Sequence, residues 1–98
     1  MAKQPAEYIW FNGEIKHWKE ATVHVMTHAI HYGSSVFEGV RAYKTPDKGT
    51  CVFRLQEHNR RLFDSAKVYR MTIPYTLDEI NEATLAIIRK NNLLSAYI

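Results

Sequence analysis

The chain has 98 residues, enough for one domain with a modest core but little margin, because small domains bury a low fraction of their surface. A hydrophobic share of 46% and a charged share of 23% exclude disorder, and the single cysteine, Cys51, excludes an intrachain disulfide or a thiolate metal cluster. The net charge of +3 comes from scattered Lys and Arg with no run longer than Arg60-Arg61; the basic stripe of a nucleic-acid binder is missing, and small anions such as phosphates and carboxylates fit better.

No apolar stretch at the amino terminus has the length of a signal and none could span a bilayer, so the cytoplasm is the default location. Residues 1–6 are expected to form a loose tail. Tyr8 to Phe11 reads as a strand, Asn12-Gly13 as a tight hairpin turn, and Glu14 to Trp18 as the returning strand. Thr22 to Met26 alternates and predicts a short strand before a turn through HAIHYG. A strand from Val36 to Tyr43 follows, then a turn through Thr45-Pro46-Asp47-Lys48-Gly49 and a pairing strand from Cys51 to Arg54. Cys51 is expected there as a small buried hydrophobe.

Gln56 to Tyr69 predicts a helix, with Leu55, His58, Leu62, Ala66 and Tyr69 at helical spacing. Thr76, with Glu79 three residues on, forms a capping box that opens a second helix, whose inner stripe is Leu77, Ile80, Thr84, Ile87 and Ile88. Asn91-Asn92 is its stop, and Ser95 to Ile98 begins another strand. The expected class is α+β: an antiparallel sheet with two helices.

The stretch from His31 to Tyr43, HYGSSVFEGVRAY, sorts itself when read with strand period. Val36, Glu38, Val40 and Ala42 fall on one face; Phe37, Gly39, Arg41 and Tyr43 fall on the other. The second face carries an aromatic wall, a gap at Gly39 where something can approach the backbone, a guanidinium and a phenol. Arg41 offers a forked set of donors that suits a carboxylate. The plainer alternative is an ordinary strand with one tight-packing glycine and a solvated arginine.

On the first predicted helix Leu62 and Ala66 centre the buried stripe. At ~100° per residue, Arg61 falls about 100° from Leu62 and Arg60 about 160°. Arg60 is therefore solvated, whereas Arg61 can pack its stem and carry its head to a partly buried anion. The alternative for Arg61 is a surface salt bridge.

His24, His28 and His31 are spaced i, i+4, i+7, but TVHVMTH has β character, Gly33 follows, and no Cys or acid completes a ligand set, so no metal site is expected. His17 and His58 stand alone and read as structural. Ser65, in Asp64-Ser65-Ala66-Lys67, has neither a histidine at nucleophile-base spacing nor a Gly-rich elbow. Gly13, Gly33, Gly39 and Gly49 never cluster into a phosphate cradle, which sets hydrolase and kinase readings aside.

Taken together, HYGSSVFEGVRAY, EYIWFNGE, VHVMTHAI, EHNRRLFDSAK and IRKNNLLSAYI resemble the beginning of the bacterial branched-chain amino acid aminotransferases, pyridoxal-phosphate enzymes of fold type IV. The resemblance runs from Glu7 to Ile98. VFEG-x-R is shared in looser form with D-amino acid aminotransferases and aminodeoxychorismate lyases, which remain alternatives; EYIWFNGE and HAIHYG favour the branched-chain enzyme. The resemblance implies the small amino-terminal domain of a two-domain, homo-oligomeric aminotransferase. Its cofactor would be pyridoxal 5'-phosphate, and its reaction the transfer of the amino group of leucine, isoleucine or valine to 2-oxoglutarate.

The same resemblance implies Arg61 as the ligand of the cofactor phosphate, and Phe37, Gly39 and Tyr97 as walls of the substrate pocket. Apolar and aromatic walls suit branched side chains. Arg41 and Tyr32 are a local source of donors for the substrate carboxylate, and Tyr32 is expected to reach into the neighbouring subunit's site. The family's Schiff-base lysine lies downstream: Lys3, Lys16, Lys19, Lys44, Lys48, Lys67 and Lys90 do not match it, so these residues alone are expected to be inactive. A reading from another class, a non-catalytic interaction module, rests on the apolar end at Tyr97-Ile98 with Phe37 and Trp10, which a lone domain leaves exposed.

Overall fold

Asn12 and Gly13 take φ values of 50° and 90°, the left-handed conformation of a tight primed turn, and this closes the first hairpin of the computed structural model, which describes residues 6–98. Tyr8–Phe11 (β1) and Glu14–His17 (β2) pair antiparallel around that turn, with Tyr8 opposite His17. The expected tail lies, apart from Ala6, outside the described residues. Trp18 leaves the strand and opens a short 3-10 turn, Trp18–Glu20; His17 Nδ1 accepts the Lys19 N–H at 3.2 Å and caps it.

Thr22 to Met26 forms no strand. Val23, Val25 and Met26 are exposed, so their alternation meets no neighbouring edge and no buried face. The HAIHYG turn is a short helix, His28–Tyr32 (α1), ended by Gly33 at φ 66°, whose N–H reaches the Ala29 carbonyl at 2.8 Å.

Arg41–Thr45 (β3) pairs antiparallel with Gly49–Val52 (β4) and with Ala96–Tyr97 (β5), giving the order β4-β3-β5. The expected strand thus begins late. Among the described residues only Val40 ahead of it has a backbone partner, exchanging both bonds with Ile98 at 2.9 and 2.7 Å. The strand phase nevertheless holds: Val40 and Ala42 are buried, whereas Phe37, Arg41 and Tyr43 are exposed. β4 stops before Phe53 because Arg54 turns left-handed, at φ 51° and ψ 43°. Cys51 is half-buried opposite Tyr43, less covered than expected.

The two long helices are Leu55–Val68 (α2) and Leu77–Lys90 (α3). Thr76 Oγ1 accepts the Glu79 N–H at 3.1 Å and starts α3; Asn91 caps it and Asn92, at φ 53°, turns the chain away. Tyr69 falls outside the α2 stripe: it follows the last helical residue and is exposed. The class is α+β as expected, with two corrections: the strands form two separate antiparallel sheets, and a third, short helix joins them. Among the described residues no helix is long and apolar enough to cross a membrane.

Side-chain amides lock these pieces together. Asn91 Oδ1 accepts the Tyr8 N–H at 2.9 Å while its Nδ2 donates to the carbonyls of Tyr8 and Ile87, clamping the hairpin to the end of α3. Trp10 packs edge-on against Tyr75 at 4.9 Å, and so is only half exposed. A side chain at Gly13 would meet the Tyr75 ring, which explains a glycine there beyond its φ. Between α2 and α3, buried Asn59 donates to Asn81 Oδ1 at 2.8 Å, beside a small core of Val40, Ala42, Ala66 and Ile88.

Asn59→Ala removes that bond and leaves the Asn81 carbonyl without its donor in a half-buried place. Denaturant unfolding of the intact protein should show a loss of about 1–3 kcal/mol. A loss below ~0.5 kcal/mol would mean that the bond contributes nothing beyond a surface contact.

Candidate functional site

Glu38 sits on the inward face of the segment leading into β3, between Val36 and Val40, and its side chain is only 9% exposed. An ionised carboxylate in such a place needs donors. It has three. Arg61 Nε donates to Oε2 and Arg61 Nη2 to Oε1, both at 2.8 Å, a forked pair; His58 Nδ1 donates to Oε1 at 2.9 Å. His58 and Arg61 stand three residues apart on α2 and so share a face. The Arg61 hydrogen bonds, then that of His58, hold the Glu38 carboxyl well below the usual carboxylate range, at about 2; the same contact raises the Arg61 guanidinium.

Arg61 makes the salt bridge that stood as its alternative reading, with a partner, Glu38, that is itself largely buried. Arg60 is exposed and makes no ion pair or side-chain hydrogen bond among the described residues. The guanidinium of Arg61 stays 67% exposed. Of its five N–H groups two are taken by Glu38, which leaves three for an external acceptor. A depression of about 210 Å³ opens in front of it, lined by Arg54, Glu57, His58 and Arg61. His58 is thus not isolated, and Glu38 satisfies its ring as a structural histidine requires. Its partnership was signalled by the i, i+3 spacing to Arg61 and by an acid on an otherwise apolar strand face.

Gly39, Arg41 and Tyr97 form a second cluster on the outward face. β3 and β5 place Arg41 opposite Tyr97, and the guanidinium lies over the phenol ring at 5.3 Å from its centroid. The same ring covers Gly39: a Cβ there would overlap the Tyr97 hydroxyl and come within 2.9 Å of Cζ. Glycine is required at this position for space, as the gap in the sequence pattern suggested. Tyr97 remains 69% exposed and Phe37, two residues before Gly39, 82% exposed.

Tyr32 stands apart. It packs on His28, ring to ring at 4.5 Å, and is 74% exposed, with no hydrogen bond or ring contact to Arg61, Gly39, Arg41 or Tyr97 among the described residues. The three histidines of the TVHVMTHAIH run have separate partners: His24 Nδ1 accepts the Met26 N–H, His28 Nδ1 meets Ser34 Oγ, and His31 Nε2 donates to the Val25 carbonyl. His28 and His31 lie on a short helix where a turn was expected, and no group of three His, Cys, Asp or Glu converges as a metal site among the described residues.

Because the folded carboxyl of Glu38 is lowered from 4.5 to about 2, its contribution to stability is present above pH 4.5 and lost as pH falls through 2. Chemical unfolding of the intact apoprotein at stepped pH should show a slope in this window that Glu38→Gln flattens. An unchanged slope in E38Q would remove Glu38 from the acid response.

No protein-family model matches the chain. It is 63% identical over 90 residues to the branched-chain-amino-acid aminotransferase of Pseudomonas aeruginosa, which covers 92% of the chain and 29% of that protein. The crystal structure of the Escherichia coli branched-chain amino acid aminotransferase superposes with a TM-score of 0.92 at 58% identity, over 95% of this chain and 30% of the other. The T.th. branched-chain amino acid aminotransferase, complexed with N-(5'-phosphopyridoxyl)-L-glutamate, superposes with a TM-score of 0.93 at 47% identity, over 97% of this chain and 32% of that one; the same protein has been solved with pyridoxamine 5'-phosphate and with 4-methylvaleric acid. The chain spans about three tenths of the length of these relatives. Over that span the chain is similar, in sequence and in fold, to these branched-chain amino acid aminotransferases.

Proposed function

We propose that these residues are the small amino-terminal domain of a two-domain pyridoxal-phosphate aminotransferase acting on leucine, isoleucine and valine, with 2-oxoglutarate as amino acceptor. The observation that carries the reading is the identity of 63% over nearly the whole chain to an enzyme of that name. It favours the branched-chain enzyme over D-amino acid aminotransferases and aminodeoxychorismate lyases. The interaction-module reading loses one of its cues, since Trp10 is packed on Tyr75.

The chemistry of the first cluster fits a cofactor phosphate. A dianion suits an exposed guanidinium with three uncommitted N–H groups, in a depression shared with the Arg54 side chain. When bound, the cofactor supplies the electron sink for amino transfer, and the lysine that carries it would come from the rest of the protein. Arg61 would hold the phosphate. Phe37, Gly39 and Tyr97 would wall the apolar part of the substrate pocket, and Arg41 would present donors to the substrate carboxylate, steadied by the Tyr97 ring.

Val25, Met26, Ile30 and Tyr32 are exposed along the segment through α1, which supports a homo-oligomer in which this segment meets a second subunit. Tyr32 would then serve the neighbouring subunit's site, in keeping with its having no contact to the clusters described above among the described residues. The partners are small amino and oxo acids, and the place of work is the cytoplasm.

Arg61→Ala in the intact enzyme should weaken pyridoxal 5'-phosphate binding by about ten- to a hundredfold, while Arg60→Ala stays within a solvated residue's small effect. Cofactor titration by calorimetry checks this, and equal losses for the two would show that Arg61 is not the phosphate ligand. Gly39→Ala drives Tyr97 from its place and should raise the KM for leucine about tenfold or more, with cofactor affinity nearly unchanged. An unaltered KM would take Gly39 and Tyr97 out of the substrate pocket.

A further inference from the structure

Arg61 has four rotatable side-chain bonds and is mostly exposed, so an arginine of this kind left to itself samples many rotamers. Here it does not, because Glu38 grips two of its N–H groups at 2.8 Å each. Glu38 is in turn fixed by its burial and by His58 Nδ1 at 2.9 Å. Since an ionised carboxylate only accepts, the His58 proton on this side is on Nδ1, which sets the tautomer of the neutral ring. The fork occupies Nε and one Nη2 hydrogen, so the whole Nη1 amine and the outer Nη2 hydrogen remain for an acceptor.

We infer that Glu38, held by His58, is a positioning residue that orients the Arg61 guanidinium for the cofactor phosphate. The inference rests on the phosphate reading of Arg61 proposed above and adds to it a residue that never touches the phosphate. Its sign makes it testable. Coulomb's law alone says that a negative carboxylate close behind the arginine repels a dianion, so neutralising Glu38 should tighten phosphate binding. Positioning says the opposite: without the clamp, the phosphate must immobilise a rotamer-rich side chain at its own expense, a cost that corresponds to roughly two- to tenfold in affinity.

The experiment compares pyridoxal 5'-phosphate with pyridoxal, which lacks the phosphate, on the intact apoenzyme by calorimetry. Glu38→Gln should weaken the phosphorylated ligand by roughly two- to tenfold and leave pyridoxal within about twofold. A merely structural role for Glu38 would weaken both alike and leave their ratio unmoved, which overturns the inference. Should E38Q fail to fold, His58→Gln removes only the second support of the carboxylate and should lower the same ratio by a smaller factor; an unchanged ratio there overturns the inference as well. Arg61→Ala is the reference. If it lowers the ratio while E38Q leaves it unchanged or raises it, positioning by Glu38 is wrong and the phosphate reading stands. If R61A itself leaves the ratio unchanged, the phosphate reading fails and takes this inference with it.

Discussion

A carboxylate on the inward face of a strand, between Val36 and Val40, has to find donors, and the way Glu38 finds them ties the two halves of the domain together. Its oxygens take a forked pair from Arg61 and a third bond from His58, both on α2. The approach to β3 and the second turn of α2 are thereby held at hydrogen-bonding distance. Exposed ion pairs usually contribute little, because salt screens them and side-chain entropy opposes them. This one differs in that one partner is 9% exposed and the geometry is bidentate. An arginine head is held in place and still faces solvent.

The two candidate clusters lie on opposite faces of one short segment. Strand alternation sends Glu38 inward to α2 and sends Gly39 and Arg41 outward to Tyr97. A shift of one residue in the pairing of Val40 with Ile98 would exchange the faces and bury Arg41 where Val40 or Ala42 now lies. The register of β3 with β5 therefore sets both clusters at once. The left-handed residue Arg54 starts α2, whose Glu57, His58 and Arg61 line the depression together with Arg54. A non-glycine residue in that conformation costs on the order of 1 kcal/mol, and such positions collect at binding sites.

The hairpin and α3 act as support. Asn91 ends α3 and, with the same amide, binds both backbone groups of Tyr8, so the helix stop and the hairpin dock are one event. Trp10 on Tyr75 closes the other end. Apolar side chains remain exposed in several places, among them the run along 23–32 and Phe37 and Tyr97. Those last are the places where the proposed second subunit and substrate would cover them.

Much of this architecture is legible in the order of residues alone: the hairpin at Asn12-Gly13, the cap at Thr76, the stop at Asn91-Asn92, the two long helices and the alternation through Val36–Tyr43. Each is set by a local rule of turn geometry, capping or periodicity, which needs no distant partner. The space under Tyr97 was half legible, because Gly39 between two large side chains marks a close approach without saying what approaches. Packing decided the rest. Thr22 to Met26 has a strand's alternation and no edge to pair with; residues before Val40 have a strand's phase and no ladder. The same limit left the partner of Glu38 undecided, since His58 and Arg61, though at i, i+3 spacing, lie 20 and 23 residues further along the chain. Period and propensity describe which way a side chain points, and only the packing of strand against helix decides what it meets.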